Sequence, residues 1–128
     1  MAVDLNMPVL VVDDFPTMVR IISKLLRQLG FSNIDSAADG SQAFQLMGQR
    51  DYGLVISDWN MELVTGLDLV KAVRSDEKLS DTPFIMVTAE SKPENVIVAK
   101  LAGVNSYIVK PFNVDTLKMK LSGVLGTF

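Results

Sequence analysis

The sequence contains neither cysteine nor histidine. Without cysteine there is no disulfide, no thiolate nucleophile and no cysteine metal site. Without histidine there is no serine–histidine triad, no histidine zinc site and no phosphohistidine carried on this chain. Neither sign of charge dominates: 12 basic residues are mixed with 15 acidic ones for a net charge of -3. That balance leaves no basic footprint for nucleic acid. No apolar run approaches the length needed to cross a membrane, and residues 1–7 lack the basic flank of a signal peptide. A soluble, cytoplasmic, monomeric protein is the expectation, with no nucleic-acid partner and no membrane insertion.

What is present suits one domain with a real core: 128 residues, 48% of them hydrophobic and 21% charged. Short apolar runs cover Pro8 to Val12, Gly53 to Ile56, Pro83 to Val87 and Ser106 to Val109, with a weaker one at Asn33 to Ser36. The first and fourth are too uniformly apolar for a half-exposed sheet and suit parallel strands covered on both faces. Longer segments with a helical period alternate with them. Met18, Ile21, Ile22, Leu25, Leu26 and Leu29 step by threes and fours, with Pro16 in the first turn and Gly30 after the end. Thr65 with Asp68, and Ser91 with Glu94, have capping-box spacing. Val114, Leu117, Leu121, Val124, Leu125 and Phe128 mark the last helix, and Asp39 to Gly48 is a fainter one. Five strands and five helices in strict alternation predict a five-stranded parallel sheet with helices on both faces. No linker or repeat interrupts residues 1–128, so a single domain is expected.

In such a sheet, ligands sit beyond the carboxyl ends of the strands. Asp13 and Asp14 end the first run, Asp58 the third, Thr88 the fourth and Lys110 the fifth. A strand order of 2-1-3-4-5, which the sequence alone does not fix, would gather all five in one cleft. Three crowded carboxylates repel one another, and a hard cation offsets this. Oxygen-only donors favour magnesium, calcium or manganese. Such a cation attracts phosphate oxygens, and Lys110 and Thr88 add a charge and a hydroxyl to clamp a phosphoryl group. Asp58 would carry it as an acyl phosphate. Each residue also has a plainer use: Asp14 as a helix cap before Pro16, Thr88 and Lys110 as turn residues, Tyr107 as core filling. Their placement on successive strand ends is what favours the chemical reading.

The segments VVDD (Val11–Asp14), ISDW (Ile56–Trp59), VTAE (Val87–Glu90) and VKPF (Val109–Phe112) resemble the receiver domain of bacterial two-component response regulators. The similarity runs from about Pro8 to the last helix. VVDDFPTM and SDWNM bring the chain nearest to the stand-alone chemotaxis members. The resemblance implies a flavodoxin-like (βα)5 receiver fold and a phosphorylation-activated switch rather than an enzyme in the usual sense. It makes Asp58 the phosphoacceptor, with Mg2+ held by Asp13, Asp14, Asp58 and the backbone carbonyl of Asn60. Lys110 contacts the phosphoryl group, Thr88 swings toward it, and Tyr107 then turns inward. Asn60 and Glu90 tune dephosphorylation. A chemotaxis histidine kinase is the donor, a flagellar motor switch protein the target, and a phosphatase a further partner. Two alternatives to the motor output are a phosphate sink draining a shared kinase and action on another protein target. Gly66 matches a family glycine. The chain departs from the family pattern at Glu62, where proline is usual, and at Thr65, where an acid is usual.

Three rivals fit less well. A haloacid-dehalogenase-type phosphatase needs a second acid where Asn60 stands. A receiver-like binding module without phosphate chemistry would not need the full set of Asp13, Asp14, Asp58, Thr88 and Lys110. A nucleotide-binding domain lacks its Gly-rich loop after the first strand.

Overall fold

Four of the strands form on apolar runs rich in β-branched residues, while the second in chain order carries Asp35 and Ser36 and is only partly buried. The strands are β1 (Val9–Val12), β2 (Ile34–Ala37), β3 (Leu54–Asp58), β4 (Phe84–Thr88) and β5 (Ser106–Val109), and the helices are α1 (Pro16–Gln28), α2 (Gly40–Gln49), α3 (Gly66–Ser75), α4 (Pro93–Ala102) and α5 (Val114–Leu125). The computed structural model describes residues 3–61, 64–89 and 92–126. All strands pair in parallel, in the order β2-β1-β3-β4-β5. The fold expected from the sequence is therefore the fold observed.

Strand residues alternate between two cores, as a pleated sheet requires. Leu10, Val12, Val55, Phe84 and Met86 face α2, α3 and α4, through Ala43, Met47, Leu69, Val70, Val73 and Ala99. Val9, Val11, Leu54, Ile56, Ile85, Val87 and Ile108 face α1 and α5, through Ile22, Leu26, Leu117 and Leu121. Burial on both faces explains why the central strands read as unbroken apolar runs.

Helix ends follow local chemistry, with two differences from expectation. Thr65 and Asp68 form the reciprocal capping box of α3, so the departure from an acid at position 65 supplies a helix cap. Asp39 caps α2 through the Gln42 amide. The N-cap of α4 is Lys92, with no side-chain cap, so the box expected from Ser91 is not the observed start; Ser91, like Glu62 and Phe128, lies outside the described residues. Asp14 does not cap α1 either: Phe15 is the N-cap, and its N–H donates to Asp13 Oδ1 at 2.9 Å. The carboxylate one residue earlier is the one turned toward that amide.

Gly66 has a packing reason. A Cβ there would collide with the Asp58 carbonyl oxygen and the Met86 sulfur, while its N–H donates to the Trp59 carbonyl at 3.0 Å. Helix α3 therefore starts directly against the end of β3.

Arg74 is the main polar tie at the opposite edge of the sheet. Its Nε donates to the Gly103 carbonyl at 2.9 Å, Nη1 to the carbonyls of Ser80 (2.9 Å) and Thr82 (2.7 Å), and Nη2 to Asn105 Oδ1 at 2.9 Å. Asn105 Oδ1 also accepts the Phe84 N–H at 2.8 Å. One planar guanidinium thus joins the end of α3 to the approaches of β4 and β5. Arg74→Lys replaces the fork by a single ammonium and should cost roughly 2–3 kcal/mol. Urea unfolding measures this; a midpoint within error of the parent would show the network to be inert.

Candidate functional site

The register places the site. Asp58 pairs with Val87 and Thr88 with Val109 across neighbouring strands, while Asp13 follows directly on β1. The Asp13 amide donates to the Ala37 carbonyl at 3.1 Å, and the Lys110 amide to the Thr88 carbonyl at 2.8 Å. Parallel pairing continued past the strand ends thus holds the backbone of Asp13 and of Lys110. The Lys110–Pro111 peptide is cis.

Two acids here are almost fully buried: Asp13 is 2% and Asp58 5% exposed, and Thr88 is wholly buried. Asp14 is exposed. Lys110 Nζ lies 3.0 Å from Asp58 Oδ1 and 3.6 Å from Asp13 Oδ2. These same two oxygens have no hydrogen-bond partner among the described residues, so Lys110 meets them as a charge without hydrogen-bond geometry. Burial pushes the Asp13 carboxyl above its ordinary range. The Phe15 N–H pulls it back, and the neighbouring Asp58 charge raises it again.

One oxygen from each of Asp13, Asp14 and Asp58 lies within 4.8 Å of the others. Hard oxygen donors, a charge deficit and two buried acceptors without a donor fit a hard divalent cation. Magnesium suits the set because it needs few protein ligands and keeps its own waters. Asn60 lies just beyond β3 and is exposed; it lines a shallow groove with Trp59, Lys92 and Asn95.

Of the residues expected from the sequence, Asp13, Asp14, Asp58, Thr88 and Lys110 gather at this edge, and Asn60 adjoins it. Glu90 lies outside the described residues. Tyr107 differs in position from the expected sequence of events: its ring is already inward, 7% exposed, and edge-on to Trp59 at 6.3 Å and 85°. An edge-to-face aromatic pair is a favourable resting place for it. Sequence reasoning gave Trp59 no role; its signal was its place directly after Asp58. Lys92 was also missed, four residues beyond Thr88.

The sequence profile described as "Response regulator receiver domain" matches residues 9–122. The chemotaxis protein CheY-3 of Vibrio cholerae is 50% identical over 119 residues, covering 93% of this chain and 92% of that one. The chemotaxis protein CheY of Pseudomonas aeruginosa is 48% identical over 118 residues, covering 92% and 95%. Among solved structures, Vibrio cholerae CheY4 at low pH aligns with a TM-score of 0.87 at 37% identity, covering 94% of this chain and 99% of that one. The receiver domain of the Pseudomonas aeruginosa sensor histidine kinase PA1611, which has a magnesium ion in its active-site cleft, aligns with a TM-score of 0.85 at 27% identity, covering 95% and 99%.

The buried acids set a pH and metal dependence. A carboxyl whose folded pKa is raised costs stability while ionised, and the cost disappears as pH falls through that pKa. Asp13→Asn keeps an oxygen for the Phe15 amide and removes the charge. Without divalent cations it should be more stable than the parent near neutral pH. The gap should narrow as pH falls and Asp13 protonates in the parent. Magnesium should raise the melting temperature of the parent and barely move that of the variant. Thermal melts with magnesium and with a chelator check both; equal magnesium stabilisation of the two would remove Asp13 from the metal set.

Proposed function

The chain belongs to the response regulator receiver family and is homologous to the CheY chemotaxis regulators; from that premise we propose that it is a single receiver domain over residues 1–128, switched by phosphorylation of Asp58 in bacterial chemotaxis. The observation that carries this reading is the convergence of Lys110 on two buried acid oxygens, Asp58 Oδ1 and Asp13 Oδ2, that have no hydrogen-bond donor among the described residues.

In the proposed reaction a partner kinase presents a phosphohistidine. A carboxylate oxygen of Asp58 attacks phosphorus in line, an O–P bond forms, the P–N bond breaks, and the imidazole leaves with its electron pair. Lys110 shifts from the bare carboxylate to an oxygen of the incoming group, keeping its charge beside the transferred negative charge. Magnesium bound by Asp13, Asp14, Asp58 and the Asn60 carbonyl would neutralise charge on the phosphoryl oxygens. Thr88, at the buried end of β4, donates its hydroxyl to the same group. Asn60 and Glu90, two residues beyond Asp58 and Thr88, govern access of the water that later hydrolyses the acyl phosphate. The chain thus catalyses only its own phosphotransfer and dephosphorylation, and a partner phosphatase would speed the latter.

The output is a protein contact. Helix α4 supports this because it is apolar without being buried. Ile97, Val98 and Leu101 are exposed, Leu101 at 84%, with Val109 on β5 and Met119 on α5 also open. The proposed target is a flagellar motor switch protein, a reading supported by the relatives' being chemotaxis proteins. Among the described residues no helix is long and apolar enough to cross a membrane, in keeping with a cytoplasmic site of action.

Asp58→Asn should abolish the gain of one phosphoryl mass on treatment with a small phosphodonor while leaving far-UV circular dichroism intact. An undiminished mass gain would assign the phosphoryl group elsewhere. A motor switch peptide should bind about tenfold more tightly when a beryllofluoride–magnesium mimic occupies Asp58. If the mimic seats and the peptide binds in neither state, the motor output is wrong, and a phosphate sink or another target takes its place.

A further inference from the structure

The groove between α1 and the outer edge of β2 takes no part in the proposed phosphoryl chemistry. Val19, Arg20, Ser23 and Arg27 form one wall and Ile34, Asp35 and Ser36 the other, around about 340 Å³. It shares Val19, Arg20 and Ser36 with a cavity of about 270 Å³ that reaches Asp13 and Asp14, so the two form one channel along the edge of the sheet.

Two features select what could lie there. The first is backbone. Among the described residues strand β2 pairs only with β1. The Val9 amide takes the Asn33 carbonyl and the Asp13 amide takes the Ala37 carbonyl. In a parallel ladder the intervening even-numbered residues, Ile34 and Ser36, then turn their backbone groups away from β1, toward the open edge. Such an edge pairs with another polypeptide strand. The second feature is charge. Arg20 and Arg27 stand seven residues apart on α1, about 10.5 Å along the axis, or roughly three residues of extended chain. Among the described residues neither has an acid within ion-pair distance; Arg20 makes only a 3.3 Å hydrogen bond to Thr17 Oγ1. Asp35, the acid on the groove wall, is already taken by Arg50 and Tyr52.

We propose that this groove is a docking site for an extended, acidic segment of a partner protein, which adds as a strand to β2 and sets its carboxylates against Arg20 and Arg27. The end of the segment approaching Asp14 is uncharged or basic, because Asp13 and Asp14 close the channel there. A second copy of this chain is a poor occupant: a two-fold axis at the edge would set the same arginines against each other. The site lies across the sheet from α4, so a partner held here leaves the proposed output face open.

The probe is a short capped peptide alternating glutamate and valine, with its glutamine counterpart as control, titrated into the isotopically labelled protein. The expected result is saturable shifts of the Ile34 and Ser36 amides, weakened by salt. Arg20→Gln and Arg27→Gln should each reduce affinity about fivefold, and the control peptide should bind more weakly still. Both arginines are exposed, so the variants keep a dispersed spectrum. Three results would overturn the proposal: shifts that avoid β2, equal binding of the glutamine peptide, or affinity unchanged in the double variant. Concentration-dependent shifts at β2 without peptide would replace the partner by a second copy.

Discussion

One ammonium answers three carboxylates at the top of this sheet. Asp13 and Asp58 are buried, Asp14 is beside them, and Lys110 is the cation in ion-pair contact, reaching both buried acids at once. Buried ions need partners with good geometry or their desolvation outweighs their attraction. Here the partner is shared, and an oxygen on each acid lacks a hydrogen bond. The free site is therefore short of positive charge and holds a lysine that can be drawn away. A phosphoryl group would turn the Asp58 monoanion into an acyl phosphate dianion, adding about one further negative charge, which deepens the deficit and strengthens the demand for a divalent cation. Burial, which raises the Asp13 carboxyl, and the neighbouring Asp58 charge would together make the proposed site responsive to both.

That local change has a short route outward. Lys110 is bonded through its amide to the Thr88 carbonyl, so its backbone moves with the end of β4. Tyr107 lies on β5 beside Met86 and touches Trp59, the residue after Asp58. Helix α4 is held unevenly. Its far end has a left-handed Gly103 cap, a buried Ala99 and the Arg74–Asn105 ties. Its near end, at Lys92, has no side-chain cap among the described residues and borders the groove beside Asn60. A helix secured at one end and weakly held at the other is the kind of element a small change of packing can tilt.

Much of this was legible in the residues. Periodicity, apolar runs and cap spacing gave all ten elements, clearest where strands such as β1, β3 and β4 are fully buried and faintest at the partly exposed β2. Strand ends gave the five polar residues at the site, because in parallel sheets the chain must turn polar where it leaves the core. What sequence could not supply depended on distance in the chain. Arg74 reaches Gly103 and Asn105, about thirty positions away, with no motif to mark it. The choice between Asp13 and Asp14 for the α1 amide depended on which carboxylate turns inward. The inward ring of Tyr107 depended on its pairing with Trp59. The β2 groove was invisible because it needs the strand order, which puts β2 at an edge.

The two ends of the sheet are chemically opposite, which would let one small fold combine a rigid frame with the proposed switch. At the amino ends of the strands, polar groups form closed networks. Arg74 fills three carbonyls and Asn105. Arg50 joins Asp35 and Asn33 at 2.6 Å each, and Tyr52 donates to the same Asp35 oxygen at 2.7 Å. The Tyr52 and Arg50 contacts hold the Asp35 carboxyl below its ordinary range, while burial, helped by Asp35, pushes the Tyr52 hydroxyl up to about 12. At the carboxyl ends, buried acceptors lack donors and like charges crowd. An arrangement with satisfied bonds at both ends would give a phosphoryl group nothing to improve. With the amino ends closed, binding at the carboxyl ends can rearrange the loops and α4 without loosening the sheet that carries them.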